Sequence, residues 1–156
     1  IFLDFKPPEG RGDYSKLKFK NNIINFIDES YNSNPLSLET ALTNFGSIKL
    51  KNGSKHILLG DMLELGKNSM YHHISVAKII NKLDIDKIHI CGNDIKKTYE
   101  NLKENKKGII LNNLLKINDL IESKLNNNDY LMIKGSNSTG LFRQSQLLKL
   151  NRLNAV

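Results

Sequence analysis

Three short polar segments carry the side chains best suited to chemistry. They are Asp28-Glu29-Ser30-Tyr31-Asn32-Ser33-Asn34-Pro35, Gly60-Asp61-Met62-Leu63-Glu64-Leu65-Gly66 and Lys134-Gly135-Ser136-Asn137-Ser138. Carboxylates in the first two can accept from ligand hydroxyls or amines, and the Lys134 ammonium can pair with a carboxylate or a phosphate. Each group also has a plainer reading. Lys134 fits a surface lysine at a strand end, Asp61 and Glu64 fit either a ligand site or a helix-capping loop, and His73 with its neighbour His72 fits a packing position before a helical stripe. Phosphate-binding P-loops, a glycine fingerprint after the first strand, a second His or Cys at metal spacing and a G-x-S-x-G elbow are all missing from the sequence. Hydrolase chemistry and a self-contained nucleotide cradle therefore have no support, and neither a catalytic residue nor a metal site is assigned.

The elements that must position these segments read as alternating strands and helices. Ile23-Ile24-Asn25-Phe26-Ile27 is an apolar, β-branched run of the kind buried on both faces of a parallel sheet. It stops at Asp28, and Asn34-Pro35 has the form of an N-cap followed by a first helical proline. Leu38, Ala41, Leu42 and Phe45 make the stripe of a helix over 35–46. Further strands are predicted over 56–60, 87–91, 108–111 and 130–133. Helices follow around Val76 to Leu83, Ile95 to Leu102 and Ile117 to Leu125, and over 139–152. Residues 17–20 are expected to form an edge strand paired with 23–28 across Asn21-Asn22. The fold class expected is α/β, Rossmann-like, with a mainly parallel sheet of about six strands and helices on both faces. In such a sheet all strand C-termini share one edge, so the three polar segments should meet there.

The chain has 156 residues, 39% hydrophobic and 25% charged, with a formal net charge of +7. No apolar run is long enough for a membrane span. The lysines are dispersed and only three arginines occur, so the clustered basic stripe of a nucleic-acid binder is missing. Cys91, the single cysteine, rules out an internal disulfide and is expected to be buried and inert. Residues 1–14 have the Pro-Pro and Gly-Arg-Gly punctuation of an interdomain linker, and residues 15–156 form one domain. With Ile1 at the start, the chain is expected to be part of a longer protein.

On these motifs the sequence resembles the C-terminal domain of the Mur ligases. The family pattern D-[DE]-x-Y-N-A-N-P stands at residues 28–35 with Ser33 in place of the usual Ala. G-D-M-L-E-L-G with a later His stands at Gly60 to Gly66 and His73, K-G-S at Lys134 to Ser136, and a G-R-G junction at Gly10 to Gly12. The resemblance implies an ATP-dependent cytoplasmic ligase of peptidoglycan precursor synthesis, monomeric, with magnesium and ATP held by a central domain and a UDP-sugar by an N-terminal one. The implied reaction phosphorylates the terminal carboxylate of UDP-N-acetylmuramoyl-tripeptide and lets the amine of D-alanyl-D-alanine attack the acyl phosphate.

By the same resemblance Arg11, Glu29, Tyr31, Asn32 and Asn34 belong to the nucleotide side, and Asp61, His73, Lys134 and Ser136 to the incoming dipeptide. Lacking the central domain, the chain alone is expected to be inactive. The alternative is a stand-alone nucleotide- or peptide-binding α/β module without catalysis.

Overall fold

The computed structural model describes residues 6–153. The first five residues of the expected linker lie outside it. Six strands form one sheet: β1 (Asp13–Phe19), β2 (Asn22–Glu29), β3 (Lys55–Gly60), β4 (Lys87–Cys91), β5 (Lys107–Ile110) and β6 (Tyr130–Lys134). Their order is β1-β2-β6-β3-β4-β5. Only β1 runs antiparallel to its neighbour, and all the other pairings are parallel. Asp13 and Tyr14, the last residues of the expected linker, already pair with Asp28 and Ile27. The hairpin turns at Lys20-Asn21, one residue earlier than expected, with Lys20 in the left-handed region at φ 54°.

Helices α1 (Pro35–Gly46), α2 (Ser69–Ile80) and α3 (Lys96–Glu100) cover one face, and α4 (Ile117–Lys124) and α5 (Leu141–Leu148) cover the other. Strand alternation sorts the core between them. Ile57 and Leu59 of β3 join Met132, Leu38, Phe45 and Ile80 on the first face. Leu58 joins Phe26, Leu131, Ile133, Ile121 and Leu148 on the second. α5 is shorter than expected, because single 3-10 turns at Asn137–Thr139 and Lys149–Asn151 replace its two ends. Among the described residues no helix is long and apolar enough to cross a membrane.

The chain moves outward from β2 through β3 and β4 to β5, then returns on the opposite face to place β6 between β2 and β3. That reversal is the topological switch point at which open α/β sheets bind ligands. The end of β6 is Lys134. The fold therefore sets the third polar segment between the other two.

Candidate functional site

Register places the three segments side by side. Glu29 of β2 is opposite Lys134 of β6, which is opposite Leu59 of β3 on its other flank. Hydrogen bonds then stitch the loops together. The Ser136 amide donates to the Asp61 carbonyl at 3.1 Å, and the Leu63 amide donates to Ser136 Oγ at 3.0 Å. Lys134 Nζ donates to the Asn32 carbonyl at 2.7 Å. The convergence expected from the sequence is thus made by direct bonds.

Close packing of glycines allows the approach. A Cβ on Gly60 or Gly135 would collide with Leu141 Cδ1 at the start of α5. Gly135 also lies against Gly60, where its Cβ would be 3.2 Å from the Gly60 Cα.

Two clefts open among these segments, one lined by Asn32 and the other by Glu29, both neighbours of Lys134. One, of about 370 Å³, is lined by Asn32, Leu63, Glu64, Ser136, Asn137 and Ser138. Glu64 holds a left-handed backbone there at φ 63°. The other, of about 300 Å³, has Ile27, Phe45 and Met132 as an apolar floor, with Gly12 and the Glu29 carboxylate beside them. Lys134 is 3% exposed. Burial lowers its pKa, opposed by the Glu29 carboxylate. Burial raises the pKa of Glu29, opposed by Lys134 and reinforced by Asp28 and Asp13. Lys134 is therefore an internal charge next to Glu29 and Asn32, rather than a surface lysine.

Several residues assigned to ligands from the sequence are engaged in holding the site's shape. His73 is fully buried; its Nε2 accepts from the Met62 amide at 3.2 Å, so the proton lies on Nδ1 and is donated to the Ser69 carbonyl at 2.8 Å. It pins the second loop to α2 and presents no free nitrogen. Asp61 accepts from the Ile95 amide at 2.8 Å and the Asn93 amide at 3.2 Å, which fixes the turn before α3. Asn34 caps α1, accepting from the Ser37 amide at 2.8 Å, and Pro35 is the first helical residue as expected. Ser136 is buried, whereas Asn32 is exposed on the cleft.

Cys91 is half-buried rather than enclosed, because β4 ends at the same rim; burial and the nearby Asp61 carboxylate raise its thiol pKa. Among the described residues no three His, Cys, Asp or Glu side chains gather as a metal site.

The segment before β1 joins the first loop. The Tyr31 amide donates to the Gly10 carbonyl at 3.0 Å, and the Gly12 amide to the Asp28 carbonyl at 2.7 Å. The Arg11 guanidinium lies 4.3 Å from the centre of the Tyr31 ring, whose other contact is edge-to-face with Phe142 at 5.4 Å. Sequence patterns did not indicate Phe142 and Leu141, which reach this region from α5, or Lys149, which reaches it from the turn after α5. Long-range contacts of single side chains leave no periodic trace.

Comparison with known proteins gives the family and the fold. The family model described as Mur ligase, glutamate ligase domain, matches residues 16–137. A UDP-N-acetylmuramoyl-tripeptide--D-alanyl-D-alanine ligase of Treponema pallidum is 27% identical over 150 residues, covering 94% of this chain and 31% of that protein. The enzyme of the same name from Buchnera aphidicola is 36% identical over 118 residues, covering 72% of this chain and 24% of that protein. The chain thus spans about a third or less of these curated relatives. Among solved structures, MurF ligase from Thermotoga maritima in complex with ADP superposes with a TM-score of 0.73 at 20% identity, over 95% of this chain and 32% of that one. MurF from Acinetobacter baumannii gives 0.71 at 24% identity, over 93% and 31%. At these identities the structural likeness speaks for the fold.

Proposed function

This chain belongs to the Mur ligase family, whose glutamate ligase domain it carries, and from that premise we propose that it forms the C-terminal, acceptor-binding part of an ATP-dependent ligase. The reaction proposed adds D-alanyl-D-alanine to UDP-N-acetylmuramoyl-tripeptide in the cytoplasm, during assembly of peptidoglycan precursors. The observation that carries this reading is the single stitched rim, on which a buried ammonium is bonded to Asn32 of one cleft and stands opposite Glu29 of the other.

The cleft at Asn32, Leu63 and Ser136 suits the dipeptide. Its lining offers the side-chain amides of Asn32 and Asn137, with Ser136 shaping its wall through bonds to the Leu63 amide and the Ser33 carbonyl, and the nearby Lys134 charge favours a carboxylate. The Glu29 cleft suits the ribose end of the nucleotide, because a carboxylate beside an apolar floor can accept from vicinal hydroxyls. Arg11, exposed on the Tyr31 ring, is placed to reach phosphate oxygens.

ATP supplies the phosphoryl group that activates the acceptor carboxylate. The sequence has no P-loop and, among the described residues, no three carboxylates gather as a metal site, so the triphosphate and its magnesium would be held by a central domain joined through Gly10 to Gly12. This domain's part is to orient the dipeptide amine and, on closing, to exclude water from the activated carboxylate. His73 contributes by fixing the Met62 amide, and Asp61 by fixing the turn at Asn93. Alone, the chain is expected to be inactive.

The test is phosphate release by the longer ligase with the UDP-linked tripeptide and ATP, with and without D-alanyl-D-alanine. Release that requires the dipeptide supports the assignment. Release indifferent to the dipeptide contradicts it and favours a binding module.

A further inference from the structure

Lys149 stands in the turn after α5 and is only 2% exposed. Its ammonium lies 2.6 Å from Asp13 Oδ2 and 2.6 Å from Asp28 Oδ2, and Asp28 is fully buried. Asp13 and Asp28 are direct cross-strand partners at the end of β1 and β2, so without the lysine two carboxylates would face each other in a poorly solvated site.

The second oxygen of each carboxylate is also in use. Asp13 Oδ1 accepts from the Gly10 amide at 2.7 Å, at the exit of the linker. Asp28 Oδ1 accepts from the Ser30 amide at 3.0 Å and from the Ser30 hydroxyl, at the start of the loop that carries Tyr31 and Asn32. Gly10 and Tyr31 are in turn bonded to each other, and a Cβ at Gly10 would press on Phe142 and on Tyr31.

We infer that Lys149 is a positioning residue: by holding Asp13 and Asp28 together it locks the linker exit and the Glu29 to Asn34 loop into one rigid piece. The pivot of any domain swing then lies on the N-terminal side of Gly10. From Gly10 onward the linker moves with the rim. Burial works to lower the Lys149 pKa, but the two carboxylates outweigh it, so the ammonium stays charged. The geometry of the clamp stands without reference to catalysis; its importance for orienting the nucleotide-side loop rests on the ligase reading above.

The test compares amide hydrogen exchange in the 156-residue chain for wild type, Lys149→Met and Lys149→Arg. In Lys149→Met the Gly10, Gly12 and Tyr31 amides should lose protection at least tenfold more than the Leu58 amide in the sheet centre, and Lys149→Arg should restore most of that difference. Equal loss at all four amides, or no change at Gly10 and Tyr31, overturns the inference. Should Lys149→Met not fold, Asp13→Asn removes one charge and should raise exchange at Gly10 and Tyr31 relative to Leu58; an unchanged ratio is equally contrary. Because exchange requires no turnover, a failure of the ligase assignment leaves this result readable.

Discussion

Glu29 and Lys134 occupy opposing positions on parallel strands β2 and β6, and between them they set the electrostatics of the rim. Each is driven by burial toward its neutral form and returned toward charge by the other. Lys134 is tied further by the Asn32 carbonyl, so one ammonium faces the Glu29 carboxylate and holds the backbone of the cleft at Asn32 and Ser136 together.

Lys134→Met keeps the aliphatic stem but strands the Asn32 carbonyl and removes the counter-charge of Glu29. Stability should fall by about 1–3 kcal/mol in urea unfolding, and the Glu29 carboxyl should titrate higher in NMR. Lys134→Arg keeps the positive charge beside Glu29, so the Glu29 titration should move less than in Lys134→Met. Unchanged stability together with an unmoved Glu29 titration would show that the pair is not coupled.

Ser33, where the family pattern has Ala, buries its hydroxyl with no hydrogen-bond partner among the described residues. Ser33→Ala removes a desolvated polar group and leaves the Ser33 amide's bond to Asn32 Oδ1 in place. The variant should be more stable by about 1 kcal/mol in thermal or urea unfolding. A loss of stability would mean that the hydroxyl is satisfied in solution.

At the other edge of the sheet His56 and His89 stack at 5.2 Å with rings 5° from parallel. The Ile109 amide donates to His89 Nδ1 at 2.9 Å, so His89 is protonated at Nε2 and donates to His56 Nδ1 at 2.9 Å. His56 Nε2 then faces Asp129 at 3.5 Å. This chain of bonds needs both rings neutral. Burial, followed by His56, Lys87 and Lys124, presses the His89 pKa from 6.5 down to about 3. The unfolded chain therefore takes up the proton first as pH falls. The stability due to His89 is complete above pH 6.5 and is lost progressively toward pH 3. Between pH 6.5 and pH 4 wild type should lose about 3 kcal/mol more than His89→Gln. Parallel urea-stability profiles for the two proteins would contradict the neutral pair.

Much of the fold was legible because buried parallel strands and amphipathic helices have periodic signatures, as at Ile23 to Ile27 and Leu38 to Phe45. The meeting of the three polar segments followed from strand direction alone. Position within the sheet was not legible, since nothing local to Tyr130 to Lys134 indicates insertion between β2 and β3. β1 was read too short because the outward-facing residues Tyr14, Lys16 and Lys18 mask its alternation. At the site, residue types picked out the loops that the fold brings together but did not show which side chains the backbone would engage. His73 and Asp61 have the composition of binding residues, yet each is engaged by backbone amides or carbonyls that only the folded chain supplies. Lys149 left no trace at all, because its partners belong to the opposite end of the chain.

The central claim is a division of one rim into a nucleotide half and an acceptor half, and steady-state kinetics of the longer ligase tests it most directly. Glu29→Gln should raise KM for ATP about tenfold and leave KM for D-alanyl-D-alanine nearly unchanged, while Ser136→Ala should do the reverse, each corresponding to about 1.4 kcal/mol of lost binding. If both variants shift the two constants equally, or if Ser136→Ala affects ATP alone, the two clefts do not have the roles assigned to them.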